Sequence, residues 1–309
     1  MTPDMLPTKV PVAPRSLSEF QILIKDLNMK HVAAQDAHDM YTKYMRAVAD
    51  KQRPADTTAS AAELHETAKI VLNLPALHES EFEFSCTMLR AAAGLGNDAA
   101  ALSLGRILLR RTRARQNYFH WDNPWWRQAR ARCMALIEEG RDANALVLKG
   151  LIHMKRNNPR DDSLALEAFA QAETVGKSAD RFDWEPTCLE GQGNAHQRLD
   201  QKEQAEEAFR RLADLDCAEG FYHLARLLPR SESTLEWLTK AAASGLRETY
   251  QLLVDEHERL RSICMNQGRE KEARRHERDA AEWTLIMRAQ ATRKKELNTA
   301  TEPMRNQLL

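Results

Sequence analysis

The feature that most limits what this 309-residue sequence can fold into is a pair of helical patterns that alternate along it. The first pattern places two small residues, Ala or Gly, five positions apart in an apolar run. The second reads as the other helix of a hairpin, and its equivalent residues Phe169 and Phe209 lie forty positions apart. Copies of the first pattern lie at residues 98–105, 142–150 and 217–225, and copies of the second at 166–172, 206–212 and 235–241. A period near forty with two helices per period is typical of an array of stacked helical hairpins.

The amino-acid composition agrees with a helical array. Of the residues 43% are hydrophobic, and the chain contains only 11 glycines, 11 prolines and few β-branched runs. Strands favour β-branched residues, so their scarcity argues against sheets. We therefore predict an all-α fold.

Charge and cysteine content restrict the function and the cell compartment. The 45 basic and 45 acidic residues cancel, so no overall field attracts the chain to nucleic acids or acidic membranes. The five cysteines include no close pair, which favours reduced thiols over disulfides or a zinc site. No apolar run approaches the roughly 20 residues that span a bilayer. We expect an intracellular protein, cytoplasmic by default, with the mitochondrial matrix as the alternative.

Interruptions of the helical pattern divide the chain into segments. Prolines from Pro3 to Pro14 exclude a helix at the start of the chain. Either Ser16 or Ser18 can then cap the first helix, because a serine hydroxyl accepts from an exposed backbone N–H there. The predicted segments are a flexible lead-in at residues 1–15, an N-terminal helical extension at 16–60, a repeat array at 61–255, and C-terminal capping helices with a tail at 256–309.

Small and large residues at fixed positions predict how the hairpins pack. Two helices approach closely only where a side chain is small. Because a glycine inside a helix costs about 1 kcal/mol relative to alanine, its repeated presence there indicates close packing. The predicted close approaches are at Gly105, Gly150, Gly193 and Ala225, and the predicted wedges between neighbouring hairpins are Phe169, Phe209 and Trp237.

One helix of the array has boundaries that local signals predict. Residues 157–162 contain Asn, Pro and Asp and are typical of a loop. The spacing after them predicts a helix over residues 163–174. We expect Gly176 to end this helix, because glycine is favoured at helix C-termini.

Three stretches resemble the Sel-one-like repeats, a branch of the tetratricopeptide superfamily. The resembling stretches are residues 98–109, 143–176 and 217–245, with the closest match at 237–245, while 201–216 is similar to an ordinary tetratricopeptide second helix and 268–273 to its turn. The resemblance implies a right-handed α-solenoid of helix-turn-helix repeats. It also implies a non-catalytic scaffold that holds a protein or peptide partner on the concave wall, which the first helix of each pair lines.

The resemblance also identifies candidate contact residues on that wall. Taking the small residues of the first helices as equivalent, the polar side chains around them provide donors for a peptide backbone or a carboxylate. An alternative is that the same side chains face only solvent or neighbouring helices. The candidates are Arg106, Asn194, Gln197, Tyr222 and Arg226, with an apolar patch at Val147, Leu151 and Met154.

The most unusual segment, residues 110–132, combines arginines with three of the chain's six tryptophans. Exposed aromatic residues among arginines can anchor a protein partner, stack on single-stranded bases or lie at a membrane surface. Folded back, the same aromatic residues would fill a gap between repeats. An organellar, mitochondrial assembly or gene-expression factor that contacts RNA or a membrane complex through this segment is the alternative function. Its candidate contact residues are Arg111, Arg113, Tyr118, Trp121 and Trp125.

No motif in the sequence indicates catalysis. His65 lacks the second histidine of a metalloprotease helix, and no Gly-x-Ser-x-Gly stretch is present. His31 and His38 lie seven residues apart and could bind a metal ion, but no full ligand set accompanies them, and surface imidazoles are favoured. We expect a protein that is not an enzyme, with no cofactor, no metal and no small-molecule substrate.

Overall fold

The computed structural model describes residues 15–49, 59–75, 77–110, 119–178 and 182–299. Across these residues the chain forms fourteen α-helices and one 3-10 turn, and no strand is found among them. The prediction of an all-α fold is therefore confirmed. The chain divides into two compact units, Met1–Lys155 and Arg156–Leu309.

The first unit contains seven of the helices. Their bounds are α1 Leu17–Asp26, α2 Ala34–Ala49, α3 Ala61–Leu72, α4 Glu79–Gly94, α5 Asp98–Arg110, α6 Arg127–Glu139 and α7 Ala143–Met154, with a 3-10 turn at Pro124–Trp126 before α6. Serines set two of the helix starts. Ser16 begins α1 and Ser60 begins α3, each in a capping box with a glutamate three residues later. Ser16, one of the two predicted caps, is therefore the cap of α1.

The N-terminal helices α1 and α2 pack on α3 and α4. Phe20, Tyr41 and Phe84 are buried at this junction, with ring centroids 5.5 Å apart between Phe20 and Tyr41 and 6.0 Å apart between Tyr41 and Phe84. The carboxylate of Glu81 is fully buried there, accepting from Arg15 Nε at 2.7 Å and Tyr41 Oη at 3.0 Å. The guanidinium and the other donors offset the cost of burying this charge. The predicted extension thus shares a core with the first helices of the predicted array.

The second unit contains the other seven helices. Their bounds are α8 Pro159–Ser178, α9 Glu185–Arg198, α10 Lys202–Asp214, α11 Ala218–Leu227, α12 Thr234–Ala243, α13 Thr249–Asn266 and α14 Glu270–Thr299. Within this unit each helix packs against the next one in the sequence. That order is what a chain of consecutive hairpins requires.

The predicted boundaries of α8 were wrong at both ends. The helix begins at Pro159, inside the predicted loop, because Asn158 Oδ1 accepts from the Asp161 backbone N–H at 3.0 Å and proline is tolerated in a first turn. Gly176 does not end the helix, which continues to Ser178. A Cβ added at Gly176 would lie 2.6 Å from Phe182 Cδ1, so this glycine makes room for an aromatic ring.

Two of the predicted glycine contacts are confirmed. A Cβ added at Gly193 in α9 would lie 2.6 Å from Cδ1 of the fully buried Phe209 in α10. A Cβ added at Gly105 in α5 would lie 3.1 Å from both Cys133 Sγ in α6 and Leu148 Cδ2 in α7. Gly150 is buried, and Ala225 lies in an apolar cluster with residues of α12 and α13.

The structure adds two close contacts that the sequence pattern did not predict. A Cβ added at Gly191 would lie 2.8 Å from Cε2 of Phe169, so the ring of this predicted wedge lies against the first helix of the next hairpin. A Cβ added at Gly220 would lie 2.8 Å from Ala213 Cα, so α11 begins directly against the backbone of α10. Trp237, the third predicted wedge, is partly buried between the apolar clusters around Ala225 and Phe209.

Candidate functional site

The helices α9 and α11, the first helices of two consecutive hairpins, carry four of the predicted contact residues. Asn194 and Gln197 lie on α9, and Tyr222 and Arg226 lie on α11. Gln197 and Arg226 are exposed, whereas Asn194 and Tyr222 are half-buried. We refer to these four residues as the α9/α11 face.

Tyr222 and Arg226 are paired on this face. Arg226 Nη1 donates to Tyr222 Oη at 3.2 Å, and the guanidinium carbon lies 5.4 Å from the centre of the phenol ring. The two residues are one helical turn apart, the spacing at which side chains on a helix meet. The arginine is thereby held close to the ring while its other N–H groups remain directed away from this bond.

A histidine of α11 approaches a glutamate of α9. His223 Nε2 lies 4.0 Å from Glu190 Oε1 on α9, and its ring stacks on Phe209 of α10 with centroids 4.5 Å apart. Burial and, to a smaller extent, the charge of Arg226 together lower the pKa of His223 to about 4. The ring is therefore neutral at pH 7, so its contact with Glu190 is not an ion pair, and its packing is on Phe209 of α10.

Arg106, the fifth predicted wall residue, lies on α5 in the first unit. Its side chain is half-buried and makes interactions there. The other four predicted wall residues, on α9 and α11, belong to the second unit. The apolar patch predicted around Val147, Leu151 and Met154 lies on α7, where Val147 and Met154 are buried.

The predicted contact residues Arg111, Arg113 and Tyr118 lie outside the described residues. In the part of the segment that follows, the aromatic side chains pack inward. Trp121 is 9% exposed, and its ring lies 3.3 Å from where a Cβ at Gly105 would be. Being buried, Trp121 is not available as a surface contact.

The neighbouring aromatic residues join the same core. Phe119 and Trp126 are buried with ring centroids 5.6 Å apart, and Phe119 also meets Phe82 of α4 at 5.2 Å. Trp125 is half-buried, and the guanidinium of Arg90 lies over its ring at 4.0 Å. These contacts describe a folded-back segment.

Two arginines of the segment 110–132 have structural partners. Arg130 Nη1 donates to the Trp121 carbonyl at 2.7 Å, which fixes the loop before α6. Arg132 forms two hydrogen bonds to the carboxylate of Asp98, at 2.6 and 2.9 Å, and so links α6 to the start of α5. Paired guanidinium–carboxylate bonds of this kind orient both helices.

The histidines that the sequence offered as metal ligands have other contacts. His38 Nε2 lies 3.0 Å from the Arg15 carbonyl, and its ring meets Phe20 edge-on at 5.3 Å. His31 is exposed, and its backbone N–H donates to Glu66 Oε2 at 2.7 Å.

A different group has the chemistry of a metal site. Among the described residues, one group of three histidine, cysteine or acidic side chains has converging ligand atoms. It consists of His257, His276 and Asp279, whose ligand atoms all lie within 4.8 Å of one another. The sequence did not predict this group, because its members come from two helices. The signal within one helix was the spacing of His276 and Asp279, which places both on one face of α14.

No family model and no curated protein sequence matches this chain. Within the part of the chain that the structure describes, no helix combines the length and the apolar content needed to cross a bilayer.

Proposed function

We propose that this protein is a non-enzymatic adaptor or scaffold that binds a protein or peptide partner through the α9/α11 face. The observation that carries the proposal is the approach of two first helices at one point, where His223 Nε2 of α11 lies 4.0 Å from Glu190 Oε1 of α9. Exposed Gln197 lies two turns after Glu190 on α9, and exposed Arg226 lies one turn after His223 on α11, so each shares a helix face with one side of this contact. A surface built from rigid helices binds without first having to be ordered, which favours affinity.

The architecture proposed for this function is a right-handed α-solenoid of Sel-one-like hairpins. It is supported by the contacts of each helix with its neighbours in sequence within the second unit. The glycine–phenylalanine contacts Gly191–Phe169 and Gly193–Phe209 add further support, because they pack α9 closely against both α8 and α10. In a solenoid the first helices line one wall, and successive copies extend it.

The chemistry of the face favours an extended peptide segment that carries a carboxylate. Asn194 and Gln197 provide amide groups that can pair with a peptide backbone. Arg226 provides the guanidinium that a carboxylate accepts from, and Tyr222 provides an aromatic surface beside it. Tyrosine and arginine are also the residue types that contribute most at protein interfaces.

Site-specific photo-crosslinking in the native cell tests the proposal. A photoreactive phenylalanine analogue is placed at Tyr222 and, as the control, at Glu207, an exposed residue of the second helix α10. We expect position 222 to label a partner that position 207 does not label. The partner's contact segment should carry an acidic side chain or a C-terminal carboxylate.

A matched pair of arginine variants then measures the contribution of the face to affinity. Arg226→Ala should weaken binding of the crosslinked partner about 10- to 100-fold, since an interface arginine is commonly worth 1–3 kcal/mol. Arg210→Ala removes an exposed arginine of α10 and should leave affinity unchanged. Equal affinity of the two variants, with salt-dependent binding to single-stranded RNA that Arg111→Glu and Arg113→Glu abolish, would contradict the proposal and favour the RNA-contacting alternative.

A further inference from the structure

The hairpin formed by α13 and α14 brings three potential metal ligands to one point. His257 on α13 directs Nδ1 at Nδ1 of His276 on α14, and the two nitrogens lie 3.1 Å apart. Asp279 lies one turn further along α14, and its carboxylate is within 4.8 Å of both imidazoles. His257 is buried, whereas His276 and Asp279 are half-buried.

The nitrogen–nitrogen distance restricts what can lie between the two rings. Two imidazoles whose Nδ1 lone pairs face each other repel. The space between them therefore holds either the proton of one ring, in an N–H···N hydrogen bond, or a cation. Two imidazole nitrogens bound to one zinc ion at about 2.0–2.1 Å are roughly 2.8–3.4 Å apart for angles between octahedral and tetrahedral. The observed spacing therefore already suits a common metal ion.

We propose that His257, His276 and Asp279 bind one divalent transition-metal ion of the zinc class, which joins α13 to α14. Imidazole nitrogens favour zinc and its neighbours over magnesium or calcium, and a carboxylate completes a set of three protein ligands. The exposed side of His276 and Asp279 leaves room for water as a further ligand.

Charged side chains lie close to the three proposed ligands. Burial lowers the pKa of His257, the charges of His276 and Arg275 lower it too, and Asp279 and Glu256 act in the opposite direction. Arg275 and Arg278 approach the Asp279 carboxylate at 3.9 and 3.7 Å but are largely exposed, so both can rotate away when a cation binds. Glu256 is held by two hydrogen bonds from Arg259.

Equilibrium dialysis of the full-length, tag-free protein against Zn²⁺ and Co²⁺ tests the site. All samples carry Cys217→Ser, because Cys217 is the one cysteine that is not buried and could bind these ions itself. We expect one ion per chain, d–d absorption bands from the Co²⁺ form, and a melting temperature that rises with added metal and saturates. His276→Gln and Asp279→Asn should each weaken binding at least about tenfold.

The control variant is His31→Gln, which removes an exposed histidine of the first unit and should leave binding unchanged. Circular dichroism shows whether each variant is folded, and Asp279→Asn serves if His276→Gln is not. The proposal is overturned if no stoichiometric ion binds, or if His31→Gln lowers affinity as much as the hairpin variants do. If an N–H···N hydrogen bond alone joins the two rings, no stoichiometric ion will bind.

Discussion

The hairpins α9–α10 and α13–α14 belong to the same unit, yet different contacts hold each pair of helices together. Between α9 and α10 a glycine lies directly against the fully buried ring of Phe209. Between α13 and α14 the contacts include two facing histidines, and among the described side chains of α14 only Ala273 and Ala280 are buried. The first pair is fitted by shape, whereas the second combines an apolar contact, Trp283 stacked on Tyr250 at 5.4 Å, with the facing histidines.

This difference predicts where the protein tolerates substitution. Close-packed interiors have no space for added atoms and lose contacts when atoms are removed. A polar, partly exposed contact such as that of His276 with His257 can exchange a lost hydrogen bond for one to water, so substitution of His276 costs less. The α9–α10 pair should therefore hold the α9/α11 face in place, while the α13–α14 pair is free to acquire a ligand.

The largest expected effect is the loss of the buried ring. Phe209→Ala should lower the free energy of unfolding by about 3–5 kcal/mol, because it removes apolar contacts and leaves a cavity. His276→Gln at the other hairpin should cost less than about 1 kcal/mol. Urea denaturation of the metal-free protein, followed by circular dichroism, compares the two. Similar losses for both variants would remove the distinction between the hairpins.

A smaller effect is expected from adding one carbon atom where α11 begins. In Gly220→Ala the new Cβ meets the backbone of Ala213, so the variant should lose about 1–3 kcal/mol of unfolding free energy. The control is Gly94→Ala at the end of α4, where a Cβ would find only Gln128 Nε2 at 4.0 Å. There the helix preference of alanine should leave stability unchanged or raise it by up to about 1 kcal/mol. A stable Gly220→Ala protein would show that the helix contact is looser than described.

The smallest effect concerns pH and His223, whose ring is packed on Phe209. Burial, followed by the charge of Arg226, lowers its pKa to about 4, so the unfolded chain takes up this proton first as the pH falls. The stability that the neutral ring contributes is thus fully present above about pH 6.5, and it is lost as the pH falls towards 4. At pH 5.5 the loss should be on the order of 1 kcal/mol.

His223→Gln should remove that part of the pH dependence, whatever its effect on stability at pH 7. Denaturation between pH 4 and pH 7.5 measures the slope for both proteins, and NMR titration of the His223 ring gives its pKa directly. A ring that titrates near pH 6.5 would show that it is more exposed to solvent than the packing against Phe209 implies.

The repeat pattern predicted the helices and some of their contacts because both depend on local sequence. Phe209 and Gly193 occupy repeated positions, and the structure places them against each other. Gly191 and Gly220 were missed because the pattern assigned the close approaches to Gly193 and Ala225, which lie two and five residues further along the same helices.

The candidate metal group could not be predicted from local sequence. His257 and His276 are 19 residues apart, and their meeting depends on how far α14 slides along α13, which no local signal specifies. The burial of Trp121 has the same origin, since composition does not determine which side of a loop faces the protein. Both the histidine contact and the burial of Trp121 depend on packing between parts of the chain that are not adjacent in sequence.

The α9/α11 face exists only if α9 and α10 interlock through Gly193 and Phe209, and a double-mutant cycle measures that interlocking directly. Gly193→Ala should cost about 1–3 kcal/mol in the wild-type chain, yet be neutral or stabilising in a Phe209→Leu background, where the ring no longer blocks the new methyl group. The expected interaction energy is at least about 1 kcal/mol. Additive effects, within about 0.5 kcal/mol, would contradict the interlocking and with it the fixed position of the face.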